Sequence, residues 1–297
     1  MFQPKGIIVP VVTPFSSDHS VDEQALRRII RHVVDNGVHG VFVTGTTGEF
    51  YALSHAEHQR LFEIAVDEVA GKVPVYGGTS GISTDDAVAL TKIGEKVGLD
   101  AVSVLTPFFI SLSQEELYQH YKTIAASTNL PILLYDNKPK TNLTIAPATV
   151  ERLSKIDNIV GMKDSTGDFT NTMEILRRTR NNPDFHVLIG RDSLIFSALC
   201  SGCSGAVAGC GNVAPRLCSS IYDKYVQGDF EGAREDQFTL LPLRLAFAIG
   251  SFPAVIKEAM SMVGIDAGAC KRPTGPLSDD QRKQVQEILR GMGLLNT

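Results

Sequence analysis

Short apolar runs alternate with longer amphipathic stretches along the chain, and this alternation predicts its architecture. Ile7 to Thr13 is rich in β-branched residues and is bounded by Gly6 and Pro14, the pattern of a strand. Apolar residues then recur at Leu26, Ile29, Ile30, Val33 and Val34, on one face of a helix. Ser20-Val-Asp-Glu23 reads as the capping box of that helix and Gly37 as its stop. Further strands are predicted at Gly40 to Thr44, Val73 to Gly77, Ala101 to Leu105 and Ile132 to Tyr135. The series closes with Ile159 to Met162, Val187 to Ile189 and Ala206 to Ala208. Helical patterns lie between the strands, two of them opened by Ser54-His-Ala-Glu57 and Ser113-Gln-Glu-Glu116.

Strands that each lead into a helix imply an α/β protein with a parallel sheet. Their number and spacing fit a closed (β/α)8 TIM barrel over residues 1–227. Residues 228–297 read as helices only, punctuated by Pro253 and Lys271-Arg272-Pro273. They are expected to form a C-terminal helical extension packed on the barrel. An open doubly wound sheet would more often carry a Gly-rich nucleotide loop after its first strand. Here that strand runs into Val12-Thr13-Pro14-Phe15, with no glycine.

Composition narrows the classes. The 297 residues are 43% hydrophobic and 21% charged, with a net charge of -5. Disorder would need fewer apolar residues and more net charge, and a nucleic-acid surface would be basic. No stretch approaches the ~18 apolar residues of a membrane span, and Met-Phe-Gln-Pro-Lys lacks the regions of a signal peptide. The expectation is a cytoplasmic protein with no nucleic-acid or membrane partner. Cys200, Cys203, Cys210, Cys218 and Cys270 suit a reducing compartment. The Cys200-x-x-Cys203 pair lacks the partners of a zinc set and reads as small buried residues near a helix end. His55 and His58, with Glu57 between, do not form H-E-x-x-H and read as a solvated helix face. Neither Gly-x-Gly-x-x-Gly nor a P-loop lysine occurs, so no metal and no cofactor are expected.

Barrels of this kind place their chemistry at the C-terminal ends of the strands. Lys163 closes the run Ile159-Val-Gly-Met162, which directs it over the barrel mouth. An amine that loses hydration is more readily neutral, and a neutral amine attacks a ketone to form a Schiff base. A strand-end lysine also commonly reaches solvent, so Lys163 alone does not decide. Tyr135, at the end of the neighbouring strand, supplies a phenol that could shuttle protons. Gly45-Thr46-Thr47-Gly48 offers backbone N–H groups and hydroxyls without bulk, which suits a small carboxylate. Together these suit an α-keto acid. Ser165, Gly190, Arg191 and Asp192 end the next two strands and Lys140 follows Tyr135, so all five are candidates to contact substrate. Gly209-Cys-Gly211-Asn212 is a weak candidate for a phosphate loop.

These motifs resemble the dihydrodipicolinate synthase / N-acetylneuraminate lyase (DapA-like) superfamily of pyruvate-dependent class I aldolases. The resemblance runs from Gly6-Ile-Ile-Val-Pro-Val-Val-Thr-Pro-Phe15 through Gly45-Thr-Thr-Gly-Glu49 and Tyr135. It continues through Gly161-Met-Lys-Asp-Ser-Thr-Gly167, Ile189-Gly-Arg-Asp192, Asn212-Val-Ala-Pro215 and Pro253-Ala-Val-Ile-Lys257. It implies a (β/α)8 barrel with a helical extension, usually a homotetramer built as a dimer of dimers. It implies Lys163 as the Schiff-base lysine, Tyr135 as proton relay with Thr46 in the same hydroxyl chain, and Thr46 and Thr47 at the keto-acid carboxylate. The implied partners are pyruvate and an aldehyde.

Departures bear on the branch. The synthases usually place a tyrosine, reaching across a dimer, where this chain has Phe109, and an arginine where Lys140 stands. Phenylalanine carries no proton, and lysine lacks the bidentate fork. Phe50, Tyr51 and Ile82 differ from the pattern linked to lysine feedback, and Ser193 and Gly209 from that of sialic acid lyases. The expected activity is therefore a Schiff-base lyase that reversibly cleaves a 4-hydroxy-2-oxo acid, such as a 2-keto-3-deoxy sugar acid, to pyruvate and an aldehyde. Arg191, Asp192 and Lys140 would hold the distal hydroxyls or acid group. The alternatives are 4-hydroxy-tetrahydrodipicolinate synthase, condensing pyruvate with aspartate semialdehyde, and a keto-deoxy sugar acid dehydratase using the same imine.

Overall fold

The computed structural model describes residues 2–295. Strands and helices alternate through β1 (Gly6–Pro10), α1 (Glu23–Asp35), β2 (Gly40–Val43), α2 (His55–Val69), β3 (Val75–Gly78), α3 (Thr84–Val97), β4 (Ala101–Leu105) and α4 (Gln114–Ala126). They continue as β5 (Ile132–Asp136), α5 (Lys138–Thr141), α6 (Pro147–Leu153), β6 (Ile159–Asp164), α7 (Phe169–Thr179), β7 (His186–Ile189), α8 (Ile195–Cys200), β8 (Gly205–Val207) and α9 (Pro215–Val226). Beyond them come α10 (Phe230–Ala246), α11 (Ala254–Met262) and α12 (Asp279–Gly291). The strands are parallel and close in chain order, β8 pairing with β1, so the fold is a (β/α)8 TIM barrel followed by C-terminal helices.

Alternation along each strand divides the core in two. One residue from every strand fills the barrel: Ile8, Phe42, Tyr76, Ala101, Leu133, Val160, Leu188 and Val207. The opposite faces, including Val9, Val41, Val104, Leu134 and Met162, pack outward against the helices. Burying residues on both faces explains why the strands read as continuous apolar runs.

One irregularity positions the site. Ile132 of β5 pairs with Ile159 of β6, but Leu133 pairs with Gly161, so β6 carries one extra residue. Val160 points into the barrel, and the bulge then resets the alternation. Met162 therefore faces the helices while Lys163 faces inward. Gly161 permits this because a Cβ there would lie 2.3 Å from the His186 carbonyl oxygen.

Several boundaries differ from the sequence pattern. β1 stops at Pro10 because the Val12 N–H turns to the Asn212 side chain, 3.1 Å away. Asn212 also donates to the Pro10 carbonyl at 2.9 Å, tying the end of β1 to the turn after β8. The cap of α1 is Asp22, whose Oδ1 accepts from Ala25 N at 2.9 Å, and not Ser20. The Ser20 N–H is held in the preceding turn by Asp18, 2.9 Å away. The capping boxes at Ser54 and Ser113 form as expected.

The histidine and cysteine readings need correction. His58 is buried, its Nδ1 3.0 Å from the Ser54 carbonyl, because that side of α2 packs inward; only His55 is on a solvated face, 2.7 Å from Asp86. Cys200 is exposed at the end of α8, while Cys203 is buried and its thiol pushed up to about 12 by burial. Among the described residues no helix is long and apolar enough to cross a membrane.

Candidate active site

A cavity of about 230 Å³ opens at the C-terminal ends of the strands. Lys163 rises into it from the inward face of β6 and is buried. Its Nζ lies 4.0 Å from the centre of the Tyr135 ring and 5.0 Å from that of Phe42, the side chain that floors the barrel beneath it. Tyr135 is the register partner of Lys163 on β5, so the ladder itself sets the two side by side.

The Tyr135 hydroxyl lies 3.2 Å from Thr46 Oγ1 and accepts a 3.0 Å hydrogen bond from Asn137 Nδ2. Burial alone would push this phenol up. The Lys163 ammonium and the hydrogen bonds from Thr46, Asn137 and Lys163 outweigh burial, so the net shift is downward from 10.0. A phenol eased toward its anion beside an amine is suited to passing a proton in either direction.

The Thr46–Thr47 loop is held from two sides. Thr44 and Glu49 take left-handed backbone angles, φ 55° and 58°, at its two ends. Thr13 Oγ1 donates to the Gly48 carbonyl at 2.7 Å. Glu49 is fully buried, with Oε1 2.7 Å from Lys257 Nζ and Oε2 accepting from the Lys271 N–H at 2.9 Å. Both partners belong to the C-terminal helical segment, so residues distant in sequence brace the loop. Glu49 is a structural link here and does not line the cavity.

The remaining candidates also reach the cavity, in different states. Ser165 packs against Gly190, where a Cβ would fall 1.9 Å from Ser165 Oγ, so a larger residue there would displace the serine hydroxyl. Arg191 donates through Nε to the Ser165 carbonyl at 3.1 Å and through Nη2 to Thr166 at 3.4 Å. Burial, and then the neighbouring Arg244 charge, lower its pKa from 12.5. Asp192 is buried and largely engaged: Oδ1 accepts from Cys210 N at 2.7 Å and Oδ2 lies 3.6 Å from Arg244 Nε. Lys140 is exposed at the rim, 6.0 Å from the centre of the Phe252 ring. The 209–212 turn is poorly placed to bind phosphate, because Asp192 already occupies its Cys210 N–H.

Sequence reasoning assigned no role to Asn137, Arg244, Phe247 or Phe252, all of which line the cavity. Asn137 had a signal, since it follows Tyr135 by two positions at a strand end. The other three lie on or just beyond α10, whose pattern reads as a helix packing on the core, and only the tertiary structure brings them to the mouth. Among the described residues no group of His, Cys, Asp and Glu side chains is arranged to hold a metal ion.

The chain and its fold have close counterparts. The Dihydrodipicolinate synthetase family matches residues 3–292. The 4-hydroxy-tetrahydrodipicolinate synthase of Syntrophobacter fumaroxidans is 36% identical over 99% of this chain and 100% of its own. A DapA-like lyase of Halobacterium salinarum is 38% identical over 98% of this chain and 94% of its own. The structure of dihydrodipicolinate synthase from Aquifex aeolicus superposes with a TM-score of 0.94 at 34% identity, covering 99% of this chain and 100% of that one. A prophage protein of the same family from E. coli K12, in complex with pyruvate, gives 0.95 at 29% identity, covering 98% of this chain and 99% of its own. Several further relatives also carry the name 4-hydroxy-tetrahydrodipicolinate synthase. Matched along nearly its whole length, the chain belongs to the dihydrodipicolinate synthetase family of pyruvate-dependent class I aldolases and is a carbon–carbon lyase.

Proposed function

We propose that the chain makes and breaks the carbon–carbon bond next to pyruvate through a Schiff base on Lys163. The observation that carries this reading is the alignment of the Lys163 amine, the Tyr135 phenol and the Thr46 hydroxyl in one cavity. Neutral Lys163 attacks the substrate ketone, and Tyr135 passes a proton to the carbinolamine oxygen, which leaves as water. The iminium then draws electrons from the C3–C4 bond of a 4-hydroxy-2-oxo acid. As the C4 hydroxyl loses its proton to the Tyr135–Thr46 relay, that bond breaks to an aldehyde and an enamine. Protonation of the enamine and hydrolysis release pyruvate and free Lys163. Thr46 and Thr47 hold the keto-acid carboxylate, and no metal or organic cofactor is required.

The substrate of this reading is a short 4-hydroxy-2-oxo acid. Phe109, which has no hydroxyl, and Lys140, which has no fork, support it against the cyclising synthase reaction. The second reading is 4-hydroxy-tetrahydrodipicolinate synthase, favoured by the names of relatives 34–36% identical over nearly the whole chain. Assembly as a homotetramer is part of the proposal. Its support is Phe109, 96% exposed at φ 75°, an apolar side chain set out from the surface.

One assay separates the readings. Pyruvate with aspartate semialdehyde, and separately a panel of 4-hydroxy-2-oxo acids, are incubated with one preparation at saturation and the products read by mass spectrometry. The proposal expects pyruvate release from a 4-hydroxy-2-oxo acid to exceed condensation with aspartate semialdehyde. Faster condensation would establish the synthase. A dehydrated keto acid in place of pyruvate would mean that the imine expels a hydroxyl instead.

A further inference from the structure

We infer that Asn137 is a positioning residue of the reaction proposed above: its side-chain amide steadies the Tyr135 oxygen as a phenolate between two proton transfers. This role rests on the Schiff-base reading and adds a residue to it. In that reading Tyr135 gives its proton to the carbinolamine oxygen, which leaves as water, and later takes one from the C4 hydroxyl. Between the two events the phenol has no proton, and the positive iminium on Lys163 stands beside a negative oxygen. The proton lost in the first step is replaced in the second, so the cycle needs no outside acid or base up to the enamine.

Asn137 Nδ2 donates to the phenol oxygen at 3.0 Å. That oxygen carries one proton and two acceptor positions. The amide N–H fills one of them and cannot take the proton itself, because an amide NH₂ only donates. Thr46 Oγ1, 3.2 Å from the same oxygen, both donates and accepts. The two hydroxyls can therefore pass the proton while the amide stays fixed. A hydrogen bond to an ionised oxygen is about twice as strong as one to a neutral oxygen, so Asn137 favours the phenolate over the phenol. Burial opposes ionisation of Tyr135, but Lys163, Thr46 and Asn137 together bring it below 10.0.

The main chain holds the amide in place. Asn137 directly follows β5, two positions after Tyr135, and it lines the cavity while remaining buried. Its carbonyl accepts the N–H groups of Lys140 at 2.8 Å and Thr141 at 3.1 Å, which opens α5. Asp136, between the two residues, pins the turn from the other side, its Oδ2 accepting the Ile145 N–H at 2.8 Å. The charged groups that act on Tyr135 are Lys163 from β6 and Arg191 beyond β7. Lys140, Asp192 and Arg244 line the same cavity. Substitution of Asn137 leaves all five in place, so a change in Tyr135 ionisation reports the amide.

The test measures pyruvate release from a 4-hydroxy-2-oxo acid by the native protein, Asn137→Ala and Asn137→Asp across pH. In Asn137→Ala kcat should fall ~10–100-fold, the worth of one hydrogen bond to a charged group, while KM changes little. Asn137→Asp should fall further, because a second anion then faces the phenolate. The alkaline limb of kcat/KM, which reports loss of the Tyr135 proton, should move to higher pH in both variants, since the anion has lost its support. A near-native kcat, a loss expressed mainly in KM, or a limb that stays where it was would overturn the role. Should neither variant fold, NMR of the native protein labelled at asparagine side-chain nitrogen decides. The Asn137 amide signal should follow the ionisation of Tyr135 and lose that response in Tyr135→Phe; a signal indifferent to it would overturn the role. Borohydride trapping of pyruvate on the native protein keeps the two readings apart. Failure to label Lys163 refutes the Schiff base, whereas labelled native protein with an unmoved limb in the variants refutes the Asn137 role alone.

Discussion

Tyr135 and Lys163 are register partners across the β5–β6 ladder, and the lysine Nζ stands 4.0 Å from the centre of the phenol ring. Backbone pairing, rather than a flexible loop, sets their separation, so the pair is held before substrate arrives. Such prior order lets a relay work without reorganisation at the moment of reaction.

Tyr135→Phe tests the phenol. The ring remains to pack against Phe50 and Leu105, so folding should be kept. Loss of the hydroxyl should lower kcat by ~10²–10⁴-fold, the usual worth of a positioned acid–base group. Steady-state kinetics with parallel thermal melts check this; a kcat within a few-fold of the native value would remove Tyr135 from the mechanism.

The β6 bulge yields a second expectation. Gly161→Ala puts a Cβ 2.3 Å from the His186 carbonyl oxygen, a contact only backbone movement can relieve. The substitution should cost about 1–3 kcal/mol, the usual cost of overpacking. It should also displace Lys163 and slow Schiff-base formation. Denaturant melts and the rate of borohydride labelling by pyruvate provide the two readings.

The brace between Glu49 and Lys257 gives a third. Lys257→Met leaves a buried carboxylate facing no ammonium, which should cost about 3–5 kcal/mol. Pairing it with Glu49→Gln should recover part of that loss. In both variants KM for the keto acid should rise more than kcat falls, because the Thr46–Thr47 loop loosens while Lys163 and Tyr135 stay. A double-mutant cycle with kinetics measures both effects.

Asp136 supplies a pH dependence. Burial raises its carboxyl from 3.8 to about 6, and the nearby Asp164 adds to the shift, against hydrogen bonds from Thr144 and Ile145. The folded state therefore holds a proton that the unfolded chain has released. Its stabilising contribution is complete below about pH 4 and is lost as pH rises through 6. At most about 3 kcal/mol is involved. Urea titrations of the native protein should show stability falling between pH 4 and 6, and Asp136→Asn should flatten that fall; an unchanged slope would contradict the shift.

Much of the barrel was legible in the chain. Strands buried on both faces must be apolar throughout, so Ala101 to Leu105 or Ile132 to Tyr135 can be read as strands without a partner in view. Lys163 and Tyr135 stand out because each sets a polar group at the C-terminal end of an apolar run. The bulge was not legible. Plain alternation from Val160 would have turned Met162 inward, and only the pairing with β5 shows the extra residue. Nor was the share of α10, because Arg244 on a helix reads as a surface charge until the helix is packed against the barrel mouth. Asp192 was read as a contact to substrate, yet much of its carboxylate is committed to Cys210 and Arg244.

Every proposed step passes through Lys163 as the covalent nucleophile, and one measurement reaches it most directly. The protein is incubated with pyruvate and borohydride, digested and mapped by mass spectrometry. One reduced pyruvyl group per chain on Lys163, and none in Lys163→Ala, is the predicted result. An unmodified Lys163, or a label carried by Lys140 or Lys257 instead, would contradict it.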